Sequence, residues 1–490
     1  MPRRRMSRLS APSALRAVAG ALLLIVGLSL LGLAGRGVEQ RSVVIGPTPI
    51  SVYVPEGATV ASAPGVVVAH GFAGSRQLMH SWSLALARAG FVVATPDLAG
   101  HGSNTQRLAQ SSTALVDDVT RALAALRDVE AVDHRRLGLL GHSMGSGAVL
   151  AAALADTEGI RAVVAVSPTD AAVTATAPRD LLLLAGSNER RFVANAESLL
   201  ERAGGARSAP GAGDARALEI IPHVEHVSIL FSGVAQQRSV TWLAAALEHA
   251  PRDATRSEPL FAWLLTVIGA ILLWQHVARR YVTPAEDARR TSGAWAMAGV
   301  GGLAATASLV IVARSMTLSD LTGVLVAAEL GLWFALTGAA WLRFGVRPAR
   351  PDARDLGWGI LAASLLVMLG AVGERSWLAW WPTGPRTALV APLALAVLPF
   401  LLAMMSVLQG NRGIRLLGGW ASIAAMTLLT LGAAAFTVPG IGFLVLILPL
   451  LPLVLGLVVA VGGVTDRPWA AALSGSLFLG WLLAVLFPLA

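Results

Sequence analysis

The stretch LGLLGHSMGSGAVL, residues 137–150, holds the residues best suited to chemistry. Ser143 stands between Gly141 and Gly145, after an apolar run and before a small-residue helical pattern. A serine at a sharp strand-to-helix turn exposes its hydroxyl, and glycines two positions to either side remove side chains that would clash there. G-x-S-x-G alone is a weak signal in a chain with 50 glycines; a strand before it and a helix after it make it specific. A serine hydroxyl is a poor nucleophile until an imidazole takes its proton, and a carboxylate fixes that imidazole's tautomer. In the chain order Ser, acid, His, Glu189 follows the run DLLLLAG, and His223 and His226 follow ALEIIP. Either histidine could reach the serine. His226 leaves a short loop after the strand and precedes an apolar run, so it is preferred, and His223 reads as a solvated loop residue. A tetrahedral oxyanion needs preorganised N–H donors. The Met144 amide at the helix start is one candidate. The other is Phe72, in His70-Gly71-Phe72-Ala73-Gly74, where Gly71 and Gly74 let the backbone approach a substrate.

These residues must be held by alternating strands and helices. Ser42–Ile45 and Ile50–Val54 predict a leading hairpin. Strands at 65–70, 91–97, 137–143, 161–167, 180–186 and 217–222 alternate with helices near 78–89, 113–128, from Met144, 192–202 and 234–249. Short apolar strands separated by helices of ten or more residues predict βαβ units and a parallel sheet covered on both faces.

The segments VVVAHGFAGS, TPDLAGHGSN, LLGHSMGSG, LLLLAGSNE and HVEHVSIL together resemble the α/β-hydrolase superfamily, over about residues 42–250. The resemblance implies an eight-stranded, mostly parallel sheet and a Ser-His-acid triad acting on esters or related acyl compounds. By position, Ser143 would be nucleophile, Glu189 acid and His226 base, with Phe72 and Met144 forming the oxyanion hole. His70, Gly71, Gly141 and Gly145 would support the turns, and Asp97, Gly100, His101 and Gly102 match the family's Asp-x-x-Gly-His-Gly turn. The family's acid is usually aspartate, so Asp170, after the preceding strand, is the second choice. Family members often carry a lid between the sixth and seventh strands. Only PTDAAVTATAPR (168–179) lies there, which implies an open site suited to accessible or bulky esters.

The rest of the chain explains its composition. The 490 residues are 55% hydrophobic and 14% charged, against about 25% charged in a typical soluble protein, and the mean hydropathy is +0.66. With no cysteine, disulfides and thiolate sites are excluded. The net charge of +9 comes from arginines that lie beside apolar stretches, a placement that fits membrane topology rather than nucleic acid. Arg3, Arg4, Arg5, Arg8 and Arg16 precede an apolar run at 17–35, read as an uncleaved signal anchor rather than a signal peptide. Apolar blocks predict further spanning helices at 259–277, 293–314, 321–342, 356–373, 386–408, 416–436, 440–463 and 469–489, about nine in all, each long enough for a core of roughly 30 Å. Pro439, Pro449 and Pro452 predict a kink or a re-entrant piece in the penultimate helix.

Alternate loops are arginine-rich: Arg279, Arg280, Arg289 and Arg290; Arg343, Arg347, Arg350 and Arg354; Arg412 and Arg415; Arg467. Arginine-rich loops face the cytoplasm. The expected organisation is therefore a cytoplasmic tail and anchor (1–39), an α/β domain on the outer face (40–257) and a polytopic membrane domain (258–490). Trp377, Trp380 and Trp381 read as an interface belt, and Glu374 and Arg375 as a helix end at the interface. GVGGLAATAS (299–308) reads as close helix packing.

The expectation is a multi-pass cell-membrane serine hydrolase cleaving an ester or lipid-like substrate, with no cofactor, metal or nucleic-acid partner. Two other readings stand beside it. One is an acyltransferase using the same triad. The other is a transporter or flippase with a non-catalytic outer domain, for which Glu329, expected near mid-helix, is the support.

Overall fold

The computed structural model describes residues 11–108, 113–207, 209–252, 259–316, 318–374 and 376–490. Arg3, Arg4, Arg5, Arg8 and Arg375 lie outside these described residues.

Helix α1 (Ala11–Leu33) leads into an α/β domain. Its strands are β1 (Val38–Ile45), β2 (Thr48–Pro55), β3 (Ala63–Ala69), β4 (Val92–Pro96), β5 (Val132–His142), β6 (Ala162–Val166), β7 (Leu181–Gly186) and β8 (Arg216–Ile221). The helices are α2 (His80–Arg88), α3 (Thr113–Arg127), α4 (Met144–Ala155), α5 (Arg190–Arg202) and α6 (Gly233–Ala246). Every predicted strand and helix is present, with ends moved by a few residues. One eight-stranded sheet has the order β1-β2-β4-β3-β5-β6-β7-β8. β2 runs antiparallel to β1 and β4, and all other pairs are parallel.

Period-two alternation explains the unbroken apolar strands. Val67 and Ala69 join the core beneath α3, α4 and α5, with Val119, Leu126, Val149 and Leu199. Val66 and Val68 join the opposite core beneath α2 and α6, with Trp82 and Leu243. Successive strand residues point to opposite faces, so a sheet covered twice needs apolar residues at every position.

The C-terminal helical half comprises α7 (Pro259–Tyr281), α8 (Met297–Val312), α9 (Leu318–Thr322), α10 (Ala327–Phe344), α11 (Ala353–Gly373), α12 (Pro385–Leu408), α13 (Ile414–Thr437), α14 (Leu444–Ile447), α15 (Leu451–Gly462) and α16 (Pro468–Leu486). Among the described residues, seven helical segments, including α1, are long and apolar enough to cross a membrane. Two of the predicted nine fall short. α8 has only 16 residues, or about 24 Å at 1.5 Å per residue. α10 starts at Ala327 rather than 321 and includes Glu329 and Arg343, which lower its apolarity. Gly323 and Val326, both at positive φ, separate it from α9. Glu329 therefore stands in the first turn of α10, not near mid-helix.

Pro449 and Pro452 break the penultimate segment as predicted, with a 3-10 turn at Leu448–Leu450 between α14 and α15. Small residues set the helix contacts. A Cβ on Gly302 would lie 2.6 Å from the Thr430 hydroxyl, and one on Gly338 would strike the Phe400 backbone. α1 packs along α7, where a Cβ on Gly27 would lie 2.5 Å from the Thr266 hydroxyl. Trp380 departs from the expected belt. It is buried against Gly370, while Trp381 stays half exposed.

The helical half has two distinct ends. At one, the arginine-bearing loops meet. Arg467 Nε donates to Asp355 (2.8 Å), and Arg467 Nη1 donates to the Thr283 carbonyl (2.9 Å). Arg290 donates to the Ser406 carbonyl (3.1 Å). The other end carries the α/β domain.

Candidate active site

The site lies at the carboxyl ends of β3 and β5. These strands are neighbours in the sheet, but the chain leaves β3 for β4 on its far side. Such a reversal opens a crevice at the strand ends. Ser143 sits there, between β5 and α4, with φ 52° and ψ −120°. This is a strained turn for a residue with a Cβ. Its amide donates to the Val166 carbonyl (2.9 Å), which ties the turn to β6. A Cβ on Gly141 would strike the Gly145 carbonyl, and one on Gly145 would strike the His70 carbonyl. The two glycines are thus dictated by backbone approach.

Ser143, His226 and Glu189 form one hydrogen-bonded series. Ser143 Oγ is 3.1 Å from His226 Nε2, and His226 Nδ1 is 2.9 Å from Glu189 Oε2. The second carboxylate oxygen accepts from the Ser167 hydroxyl (2.7 Å) and the Gly186 amide (2.5 Å). Glu189 and His226 are 7% and 6% exposed. With the carboxylate on Nδ1, the Nδ1–H donates there and the Nε2 lone pair faces the serine. Phe192 stacks on the imidazole with centroids 4.0 Å apart. The alternatives are placed elsewhere. His223 is exposed at φ 61°. Asp170 is exposed and pairs with Arg202.

The loop after β3 is pinned by His70. Its Nδ1–H donates to the Gly71 carbonyl (2.8 Å), and its Nε2 accepts from the Leu98 amide (3.0 Å). A Cβ on Gly71 would lie 3.2 Å from the Ser143 Cβ, so the loop passes directly over the serine. Among the described residues, no acceptor takes the Phe72 or Met144 amide. Asp97 anchors the neighbouring turn by accepting from the amides of Arg76 and Ser103 (2.8 Å each). His142 Nε2–H donates to the His226 carbonyl (3.0 Å), tying the His226 loop to the end of β5. Burial holds His70, His101 and His142 below the ordinary histidine value, the last two far below it. All three therefore act as neutral supports.

Residues 64–257 match the family described as the alpha/beta hydrolase fold. This domain has the α/β-hydrolase fold. An Escherichia coli protein, the uncharacterised 31.7 kDa protein of the traX-finO intergenic region, is 31% identical over 109 residues. That match covers 22% of this chain and 37% of the relative, so the chain spans little more than a third of that protein. A solved hypothetical protein from Pseudomonas aeruginosa is 15% identical with TM-score 0.36, over 43% of this chain and 95% of its own. Dienelactone hydrolase from Anabaena variabilis is 20% identical with TM-score 0.33, over 44% of this chain and 100% of its own.

Sequence reasoning missed several parts of the candidate site. Ser167 ends the run RAVVAVS at the active edge of the sheet, a position that could have drawn attention. Phe192 gives no local signal, because its role depends on where α5 packs. Nor does the sequence show that the helical half meets this edge of the domain. The helical half packs on the loops after β3 and β4. The Phe72 ring lies 4.4 Å from that of Phe443, the Ala379 amide donates to Ser75 Oγ (3.0 Å), and Leu489 exchanges backbone bonds with Gly100 and Leu108 (2.9 Å each).

Proposed function

We propose that the protein is a membrane-anchored serine hydrolase that cleaves an ester, with its α/β-hydrolase domain on the extracytoplasmic side. The observation that carries this reading is the Ser143–His226–Glu189 series beside two uncommitted amides. As Ser143 Oγ attacks the ester carbonyl, His226 Nε2 takes its proton and Glu189 stabilises the imidazolium. The carbonyl oxygen becomes an oxyanion, which the Phe72 and Met144 amides receive. The imidazolium then protonates the leaving alcohol, and an acyl group remains on Ser143. Water, deprotonated by the same imidazole, attacks the acyl carbon, and collapse of the second intermediate releases the acid and restores the serine.

Two features support a substrate that is amphiphilic. The active edge of the sheet packs against helices long and apolar enough to cross a membrane. The arginine loops gather at the far end of those helices, as cytoplasmic loops would. The transporter reading loses its main support, since Glu329 stands at a helix start rather than in mid-span.

Fluorophosphonate labelling of the full chain tests the proposal. Wild type is expected to label, and Ser143→Ala to remain blank. A folded wild-type chain that does not label would sink the serine-hydrolase reading. Product analysis with an added alcohol acceptor separates hydrolysis from acyl transfer.

A further inference from the structure

We propose that Phe443, in the helical half, is a positioning residue for the oxyanion site. The inference rests on the serine-hydrolase reading above. The two proposed donors are held very differently. The Met144 amide is fixed by the elbow and by the first turn of α4. The Phe72 amide lies in an irregular segment between β3 and α2, where Ala73 adopts φ 57°.

From within its own domain, that segment is held by the His70 ring and by an edge contact of His101 on the Phe72 ring, with centroids 5.5 Å apart. The Gly74 amide also donates to the Gly71 carbonyl (3.1 Å) and the Arg76 amide to Asp97 (2.8 Å), and further constraints come from the helical half. Phe443 meets the Phe72 ring at 4.4 Å, the closer of its two aromatic neighbours. Ala73 is buried in the core of the helical half, and Ser75 accepts from the Ala379 amide.

Phe443 is itself well braced. It follows Ile441, which is buried, precedes α14, and meets Phe487 at 6.1 Å. Its ring meets the Phe72 ring at a tilt of 60°, where the His101 ring meets it edge-on. Without it, the Phe72 backbone gains freedom at the one donor that no regular element holds. Displacement of a reacting group by about 1 Å can cost on the order of 10²-fold in rate. An oxyanion donor acts mainly in the transition state, so the loss should fall on kcat rather than KM.

The test uses the detergent-solubilised full chain and p-nitrophenyl butyrate. Phe443→Ala and Phe443→Leu are expected to lower kcat about ten- to a hundred-fold, with KM within about twofold. Phe443→Tyr, which keeps the ring, should restore kcat to within about threefold. Phe72→Leu keeps the amide but removes the ring, and adding Phe443→Leu to it should produce little further loss. Phe443→Leu keeps most of the volume, so it decides the matter if Phe443→Ala fails to fold. A Phe443→Leu chain at wild-type kcat, or a loss fully additive with that of Phe72→Leu, would overturn the inference while leaving the hydrolase reading intact. A wild-type chain that neither turns over ester nor labels with fluorophosphonate would overturn both.

Discussion

Glu189, not Asp170, is the carboxylate that the fold brings to His226. Its carboxylate reaches His226 with one oxygen and is fixed by Ser167 and Gly186 through the other. Glu189→Gln is expected to lower kcat by on the order of 10³–10⁴, since the amide no longer stabilises the imidazolium. Asp170→Asn should leave kcat within about twofold, because that carboxylate is exposed and faces Arg202. Steady-state kinetics on both variants checks the assignment. The buried histidines add a pH dependence. His70, His101 and His142 have folded values pushed below the ordinary 6.5 by burial. Below about pH 6.5 the unfolded chain takes up protons that the folded chain refuses, so stability falls as pH falls, by up to about 1.4 kcal/mol per pH unit per histidine. Asp118, raised by burial, works in the opposite sense at lower pH. Thermal melts between pH 7.5 and 5.5 should show a falling Tm, and a flat profile would mean the histidine charges are accommodated.

At the scale of elements, two close approaches decide which residues are permitted. The elbow admits Ser143 at positive φ because α4 and β5 meet through Gly141 and Gly145. The second approach joins α1 to α7, the helices that bracket the α/β-hydrolase domain in sequence. A Cβ on Gly269 would lie 2.5 Å from the Leu24 nitrogen, and Gly20 and Gly27 line the same seam. Packing of small residues lets helix backbones approach in an apolar setting, where van der Waals contact is the main attraction. Gly269→Leu should therefore force the pair apart and destabilise the chain by about 1–3 kcal/mol. A lower Tm in detergent would show it, and an unchanged Tm would mean the pairing contributes little.

For the whole molecule, the sharpest expectation concerns sidedness. The chain has no cysteine, so single introduced cysteines report cleanly. Thr176 is exposed on the α/β-hydrolase domain, and Arg415 is exposed at the arginine-rich end. In intact cells, a membrane-impermeant thiol reagent should label Thr176→Cys and spare Arg415→Cys until the cells are permeabilised. Equal labelling of both would refute an outer-face placement. The same end-to-end geometry brings the helical half against the loops after β3 and β4, through Phe443, Ala379 and Leu489.

Local signals determined most of the α/β domain. Apolar runs of four to six residues and the glycines around Ser143 are short-range constraints, so the strands and the elbow could be read directly. The order Ser, acid, His placed Glu189 and His226 for the same reason. Other features depended on partners distant in the chain. Whether an apolar block forms one helix or two, as around Gly323 and Val326, depends on backbone geometry that hydropathy does not encode. Trp380 looked like a belt residue until Gly370 provided the surface that buries it. The cover over the Phe72 segment was hidden altogether, because Phe72 and Phe443 are far apart in sequence and meet only when both halves have folded. Sequence alone thus determined which strands form and which residues stand at their ends. Tertiary structure decided that Ser143, His226 and Glu189 meet and which loops the helical half packs against, since long-range packing joins surfaces that no local pattern pairs.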